Sequence, residues 1–437
     1  MKRVRILLVI LGSCIALAII GWTGASGFIR SDTFRKWIDR RVSHSLRADG
    51  QFEPFTWTGA TFHSPAFSAQ GSAKSKLASL YASNVTAHLG WPDVLARALV
   101  IDELAVGRLD VVLGKRPAPV ITQVPPKDSL RLPSLNVSLQ VNKIQVEKAN
   151  LHWKNTRAEL GDLLATAVVA SRKGPDSWRF SATGGTARQA NYPALNLDSV
   201  SGEFAQNALT IDQAKLRTEA GGDITARGAI NLRDQLMTNM HADFSGISLV
   251  SVLPEDWTMT GTADGKFDYL GSLDHIEEGG LTGVIQIMNA KLDALSVFGK
   301  LRPLAEAGGL TDFSLDSVNA NIRYHNRRTE FSDLVARRQD QIRVEGSGAI
   351  DGGQIDANLL IGFSPRILNI IPGATEKVFT EERDGLRWTT MRISGTLRQP
   401  KEDLSKRLVK AIQERMTQDF KSDLKDAAKS LLDMFRH

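Results

Sequence analysis

The chain has 437 residues, of which 42% are apolar or aromatic, 23% are charged and one is cysteine. This length exceeds what one compact core usually fills, so it implies roughly two or three domains or an elongated repeat architecture. Both signs of charge are spread along the chain, with a net charge of +6, and this pattern does not suggest nucleic-acid binding. The single cysteine excludes a disulfide framework and a cysteine-rich zinc or iron–sulfur site.

The amino-terminal segment predicts a membrane anchor at residues 1–29. Lys2, Arg3 and Arg5 precede an uncharged run of 24 residues from Ile6 to Ile29. At about 1.5 Å per residue a helix of this length crosses a bilayer. A cleavable export signal is the main alternative, and a lipoprotein site at Cys14 is disfavoured because the apolar run continues well beyond it.

The orientation of the anchor involves a conflict between two rules. Six basic residues follow the span within residues 30–47, which favours placing that side in the cytoplasm. Long domains, however, cross largely regardless of charge, and a short basic start before an apolar run is typical of export. We therefore expect the body to lie outside the cytoplasm.

Residues 31–47 predict an amphipathic helix that Ser31 or Asp32 caps. Its apolar residues fall at helical spacing: Phe34, Trp37, Ile38, Val42 and Leu46. Its basic face allows two alternatives, a helix lying on an anionic bilayer surface or a helix packed over the end of the following domain.

From about residue 50 to 400 the dominant hydrophobic period is two, which predicts short strands. One face of each strand is apolar and the other polar, so we expect antiparallel neighbours in a sheet with one wetted face. The clearest alternations include Leu135, Val137, Leu139 and Val141; Leu281, Gly283, Ile285 and Ile287; Val318, Ala320, Ile322 and Tyr324; and Leu359, Ile361 and Phe363. Residues 91–97 and about 291–305 predict capping helices.

Five prolines between residues 115 and 133 predict a linker. The expected organisation is therefore an anchor at 1–29, a first β region at 30–114, the linker, a repeated β region at 134–400 and an amphipathic helix at 401–437. That helix carries an apolar stripe that includes Leu404, Leu408, Ile412 and Met416, and it either docks on the body or contacts a membrane or partner protein.

The repeated region contains a longer self-similarity. Residues 228–254 resemble residues 348–372, and a Trp-Thr pair followed by a Gly-Thr pair comes after each copy, at 257–262 and 388–396. Duplicated β units that stack side by side share a growing core. The alternative is a coincidence of glycine and β-branched residues.

The search for catalytic and cofactor motifs is negative. Eight histidines are scattered without metal-ligand spacing, and neither a nucleophile elbow nor a phosphate-binding loop occurs. The acidic pairs Glu277–Glu278 and Glu381–Glu382 are typical of solvated loops. We therefore expect neither an enzyme nor a cofactor or metal site.

Three segments together resemble the AsmA-like family of bacterial envelope proteins, whose larger relatives include TamB. They are residues 85–114 (VTAHLGWPDVLARALVIDELAVGRLDVVLG), residues 313–360, and the closing ISGTLRQP at residues 393–400, in one chain with a basic start and a single anchor. The chain is short for this family, and its long terminal helix departs from the family pattern.

The resemblance implies a taco-shaped β-sheet groove, apolar inside, that is anchored in the inner membrane and stands in the periplasm. It implies a role in moving lipid toward the outer membrane, with phospholipid or another acyl lipid as the ligand and an envelope protein as a candidate partner. The groove-lining residues we expect are Leu135, Val137, Leu139, Ile285, Ile287, Leu359, Ile361 and Phe363. The alternatives are that these residues form an ordinary packed core and that the protein is a non-enzymatic scaffold or regulator of outer-membrane protein assembly.

Overall fold

The computed structural model describes residues 31–72, 75, 77–90, 98–114, 138–154, 159–190, 192–232, 236–252, 259–272, 275–292, 314–397 and 399–418. The protein is mainly β with few helices, which confirms the predicted fold class at this level. Within these ranges no helix has both the length and the apolar character needed to span a bilayer. The predicted anchor, the Pro-rich linker and the predicted capping helix at 91–97 lie outside the described residues. The capping helix expected at about 291–305 also lies outside them, except for Lys291 and Leu292, which belong to a strand rather than a helix.

The chain divides into two compact units, Met1–Gln206 and Asn207–His437. The elements of unit 1 are α1 (Asp32–Leu46), β1 (Ala48–Phe52), β2 (Thr56–Thr58), β3 (Thr61–Gly71), β4 (Leu77–Leu89), β5 (Ala98–Leu113), β6 (Ser138–Val141), β7 (Lys143–Lys154), β8 (Glu159–Gly174), β9 (Ser177–Thr183), β10 (Thr186–Gln189) and β11 (Leu195–Ala205). The main run of paired strands is, in order, β3, β4, β5, β7, β8, β9 and β11. Of the shorter strands, β1 and β2 pair with β3, β6 pairs with β5, and β10 pairs with β8 and β11.

The sheet of unit 1 is mixed, so the expectation of a purely antiparallel sheet is wrong there. Strand β5 runs parallel to β6 and β7, with Ala98 opposite Ser138 and Leu104 opposite Ile144. Parallel neighbours need a long connection, and β6 accordingly enters the sheet at the end of β5 where β5 itself begins. The strands on the two sides of the Pro-rich segment therefore lie in one sheet.

Helix α1 packs over strands β1–β3, which agrees with the second alternative for residues 31–47. Ser31 caps the helix by accepting a hydrogen bond from the Phe34 N–H at 3.3 Å, and Phe34 and Ile38 are buried. The Phe34 ring lies 6.2 Å from that of Trp57 on β2. Asp39 Oδ1 accepts a 2.8 Å hydrogen bond from the Phe52 N–H, so both the apolar and the polar side chains of this face contact the sheet.

We expect Asp39 to make unit 1 less stable at neutral pH than at mildly acidic pH. Burial raises the pKa of Asp39 and outweighs the opposing effects of the Phe52 hydrogen bond and of Arg35. The folded state therefore holds the proton more tightly than the unfolded state, and stability falls as pH rises from about 4 through the raised value. Asp39→Asn keeps the acceptor for Phe52, so denaturation across this pH range should show a smaller decline. Asp39→Ala leaves that N–H without its acceptor and should cost about 1–3 kcal/mol at every pH. An unchanged pH profile in Asp39→Asn would contradict the assignment.

The elements of unit 2 are β12 (Ala208–Thr218), β13 (Asp223–Asn231), β14 (Met237–Ser248), α2 (Leu249–Val252), β15 (Met259–Ser272), a 3₁₀ turn (Ile276–Glu278), β16 (Gly280–Leu292), β17 (Ser314–His325), β18 (Arg328–Arg338), β19 (Ile342–Asp351), β20 (Gln354–Phe363), α3 (Pro365–Leu368), α4 (Ala374–Lys377), β21 (Glu381–Arg383), β22 (Leu386–Thr396), β23 (Gln399–Glu402) and helix α5 (404–418). The strands form an antiparallel sheet in which each strand from β12 to β20 pairs with the next along the chain. Strand β20 also pairs with β22, which in turn pairs with β21 and β23.

The two self-similar segments have the same order of elements. The described residues of 228–254 include the end of β13, then β14 and helix α2, and residues 348–372 include the end of β19, then β20 and helix α3. In each copy the second strand then pairs antiparallel with a later strand, β15 or β22. A duplicated β unit accounts for this match in both sequence and topology.

Helix α5 docks on the body of unit 2, which agrees with the first alternative for the terminal helix over residues 404–418; residues 401–402 belong to β23, and residues 419–437 lie outside the described residues. Leu404, Leu408 and Ala411 are buried in the same core cluster as Ile361, whereas Met416 is exposed. The Arg407 guanidinium donates to Thr389 Oγ1 at 3.1 Å, and Lys377 Nζ on α4 lies 2.6 Å from Glu414 Oε2. The hydrogen bond and charge of Lys377 lower the pKa of Glu414.

Candidate functional site

The most extensive feature of unit 2 is the apolar side of its sheet. Because side chains alternate across a strand, Ala263, Gly265 and Phe267 of β15 share one side, and Asp264 and Lys266 point to the other. The strand register aligns the apolar sides of successive strands. We call the following residues the inner face: Ile224, Ala226, Met240, Ala242, Phe244, Ile247, Ala263, Gly265, Phe267, Tyr269, Leu281, Gly283, Ile285, Ile287, Val318, Ala320, Ile322, Tyr324, Phe331, Leu334, Ala336, Val344, Gly346 and Gly348.

Rows of directly paired residues on the inner face alternate between large and small side chains. Ala242 lies opposite Phe267, which lies opposite Gly283, which lies opposite Ile322. The neighbouring row pairs Phe244 with Gly265, and a Cβ at Gly265 would come within 2.6 Å of the Phe244 ring. The aromatic rings thus lie over glycines of adjacent strands, a packing that covers exposed backbone and fixes the register.

The inner face carries no charged side chain, and its ionisable groups are the hydroxyls of Tyr269 and Tyr324. Burial, reinforced by Glu277 and Tyr324, raises the pKa of Tyr269, so its hydroxyl stays neutral. Charged groups lie on the opposite side of the sheet, where His241 Nδ1 is 2.8 Å from Asp268 Oδ1. Such a face attracts apolar groups.

The part of the chain that the structure describes contains no group of three or more histidine, cysteine or acidic residues that could hold a metal ion.

The inner face is half-buried over much of β13–β18. It is closed at the carboxyl end of the sheet, by which we mean the last large strands in chain order, β20 and β22. There Ile361 is only 1% exposed, and the Phe363 ring lies 5.5 Å from that of Phe379 in a T-shaped contact. The residues that share this core come from the segment 365–379 and from helix α5: Ile367, Leu368, Ile371, Ala374, Val378, Phe379, Leu404, Leu408 and Ala411. The protein's own side chains therefore fill the space next to β20 and β22.

The expected groove residues fall into three groups in the structure. Ile285 and Ile287 lie on β16 in the inner face, where Ile285 is half-buried and Ile287 is buried. Leu359, Ile361 and Phe363 lie on β20 in the filled core rather than on an open surface, because 365–379 and α5 pack there. Leu139 is half-buried on β6 of unit 1, beside a small cluster around Phe62, and Leu135 and Val137 lie outside the described residues.

No protein-family model, curated protein or solved structure matches the chain. The chemistry of the site consequently rests on its own residues and geometry.

Several inner-face residues were not among those expected, notably Phe244, Phe267, Tyr269 and Phe331. Their strands alternate less clearly because bulges change the phase, as between Phe244 and Ile247 on β14. The signal that could have identified the three phenylalanines is the glycine placed opposite each of them, for example Gly348 opposite Phe331.

Unit 1 has a comparable apolar row across its own sheet. Val85, Val106, Val146, Val168, Ala182 and Val200 are paired in succession from β4 to β11. The first three are buried in a cluster that also holds Phe67, and Val42 and Leu46 of helix α1 pack against that cluster. An amphipathic helix thus covers one region of the sheet in each unit.

Proposed function

We propose that the chain is an AsmA-like protein, held in the bacterial inner membrane by residues 1–29, whose periplasmic body binds or transfers phospholipid and so contributes to outer-membrane lipid homeostasis. The observation that carries this proposal is the inner face of β13–β18, which is apolar, free of charge and half-buried over much of its area. A long-chain amphiphile would cover it, and each buried CH₂ contributes about 0.8 kcal/mol. Affinity then comes from many ordinary side chains, which agrees with the absence of a catalytic motif from the sequence.

A scaffold for outer-membrane protein assembly is the second candidate. The filled core at Leu359, Ile361 and Phe363 favours it, because there the alternating apolar strands serve packing alone. If the remaining inner face were similarly covered, the exposed surfaces of the protein would have to carry its function through an envelope protein partner.

Photocrosslinking of the full-length chain in bacterial cells separates the two candidates. Ile285→p-benzoylphenylalanine places the probe on the inner face, and Gln286→p-benzoylphenylalanine places it on the opposite side of the same strand. In cells labelled with radioactive phosphate, we expect a phospholipid adduct from position 285 and at least tenfold less from position 286. Equal labelling would indicate contact with bulk membrane, and protein adducts without lipid would favour the scaffold.

A further inference from the structure

The strands of the unit 2 sheet begin and end along two opposite borders, and these two borders differ in the connections that join successive strands. At one edge the connections include the two-residue turns Asn326–Arg327 and Gly352–Gly353, which join β17 to β18 and β19 to β20. At the other edge, helix α2 follows β14, and α3 and α4 follow β20. We call these the turn edge and the helix edge.

Burial of the inner face follows this difference along each strand. Residues near the helix edge are buried: Ile247, Leu249, Ala263, Ile287, Ala290, Leu315, Ala336 and Ile342. Residues of the same strands nearer the turn edge are half-buried: Gly265, Phe267, Tyr269, Leu281, Gly283, Ile285, Ile322, Tyr324, Thr329, Phe331 and Leu334. With half-buried Phe244 on β14, the change from buried to half-buried recurs on five adjacent strands. The exceptions are Val318, which is half-buried near the helix edge, and Ala320 and Thr238, which are buried nearer the turn edge. Over most of its area the inner face of β14–β18 is therefore closed along the helix edge and accessible along the turn edge.

The accessible border of the inner face is amphipathic. Tyr269 donates its hydroxyl hydrogen to the Ser272 carbonyl at 2.9 Å, and Tyr324 donates to the Glu277 carbonyl at 3.3 Å. Both rings lie on the inner face, while the Tyr269 hydroxyl bonds to the last residue of β15 and the Tyr324 hydroxyl bonds to the connection that follows β15. Tyrosine favours places where an apolar layer meets water. Arg327, 3.9 Å from Glu277, adds charge to this border.

The depth of the face fits one layer of acyl chains. From Ala263 at the helix edge to Tyr269 at the turn edge are three steps of two residues, or about 20 Å along the strand. One leaflet contributes about 15 Å to the roughly 30 Å hydrocarbon core of a bilayer. A chain lying along the strands would therefore have room for its full length, with its polar end at the tyrosines.

We infer that an acyl lipid enters the inner face of β14–β18 from the turn edge, with its chains parallel to the strands, its terminal methyl groups near Ile287 and Ala336, and its head group at Tyr269 and Tyr324. This inference rests on the proposed function and specifies the ligand as an amphiphile with linear chains and one polar end. Exchange then occurs sideways along the turn edge rather than through the carboxyl end that helix α5 closes.

Two diazirine fatty acids, fed to cells that express the unaltered full-length chain and built into their phospholipids, test the orientation. One carries the diazirine beside the terminal methyl group and the other beside the carboxyl carbon. After irradiation, mass spectrometry of proteolytic peptides locates each adduct. We expect the methyl-end probe to label residues near Ile287, Ala336 and Ile342, and the carboxyl-end probe to label residues near Tyr269 and Tyr324, each with at least fivefold preference.

The outcomes separate this inference from the function on which it rests. Adducts on the inner face whose positions are reversed, or do not differ between the probes, overturn the orientation and leave lipid binding intact. Absence of inner-face adducts with both probes overturns lipid binding and the orientation with it.

Discussion

Ile285→Asp is expected to weaken phospholipid binding at least tenfold while the fold persists. The reporter is the lipid adduct formed by p-benzoylphenylalanine at Ile322, a half-buried inner-face position. A carboxylate at 285 would lie on a face without a charged partner, and a bound acyl chain would strip it of water. That penalty should reduce the adduct at least tenfold, equivalent to about 1.4 kcal/mol of binding free energy.

Val284→Asp provides the matched control for this charge. Val284 is exposed on the opposite side of the same strand and lies opposite Lys266, so a carboxylate there meets water and a cation. We expect the control to keep the wild-type adduct. Similar losses from both variants, with both still folded by limited proteolysis, would mean that the inner face does not hold the lipid.

Local periodicity is sufficient to predict the most regular strands of this protein. The alternations at 281–287, 318–324 and 359–363 each lie within one strand, β16, β17 or β20. The capped helix at 31–47 and the repeated order of strand, strand and helix are likewise properties of neighbouring residues. Such features depend on side-chain alternation and on capping chemistry, which act over a few residues.

Two features depend on contacts between distant segments and could not be predicted in this way. The parallel pairing of β5 with β7 depends on where a long connection returns the chain, which strand periodicity does not encode. Ile285 and Ile361 have the same alternating surroundings in sequence, yet one is half-buried and the other belongs to a filled core. The difference arises because 365–379 and helix α5 pack at the carboxyl end of the sheet.

Bulges limited the prediction of the site further. On β14, β16 and β18 the register shifts or the backbone adopts a positive φ, at Gly246, Asn289 and Asp333. Each extra residue changes which side the following side chains face and bends the strand. Period-two counting therefore lost the phase in the strands that carry Phe244 and Phe331, although both rings lie on the inner face.

Leu408→Ala is expected to destabilise unit 2 by about 2–5 kcal/mol, because it removes a buried side chain from the contact between helix α5 and the sheet. Leu408 is 3% exposed, whereas its neighbour Val409 is 53% exposed. Val409→Ala should therefore change stability by less than about 0.5 kcal/mol. Denaturant unfolding of the full-length chain in detergent, followed by the fluorescence of its tryptophans, measures both variants, and equal effects would contradict the docked position of the helix.

The same pair of variants bears on how the inner face is closed. Loss of the α5 contact should expose Leu359 and Ile361, because they share a core cluster with Leu408. A lipid reporter at Ile361, p-benzoylphenylalanine, should then gain an adduct in the Leu408→Ala background and remain unlabelled with Val409→Ala. The carboxyl end would in that case be an acyl-binding surface that the chain covers with its own helix, whereas an unlabelled Ile361 in both backgrounds would assign these strands to packing alone.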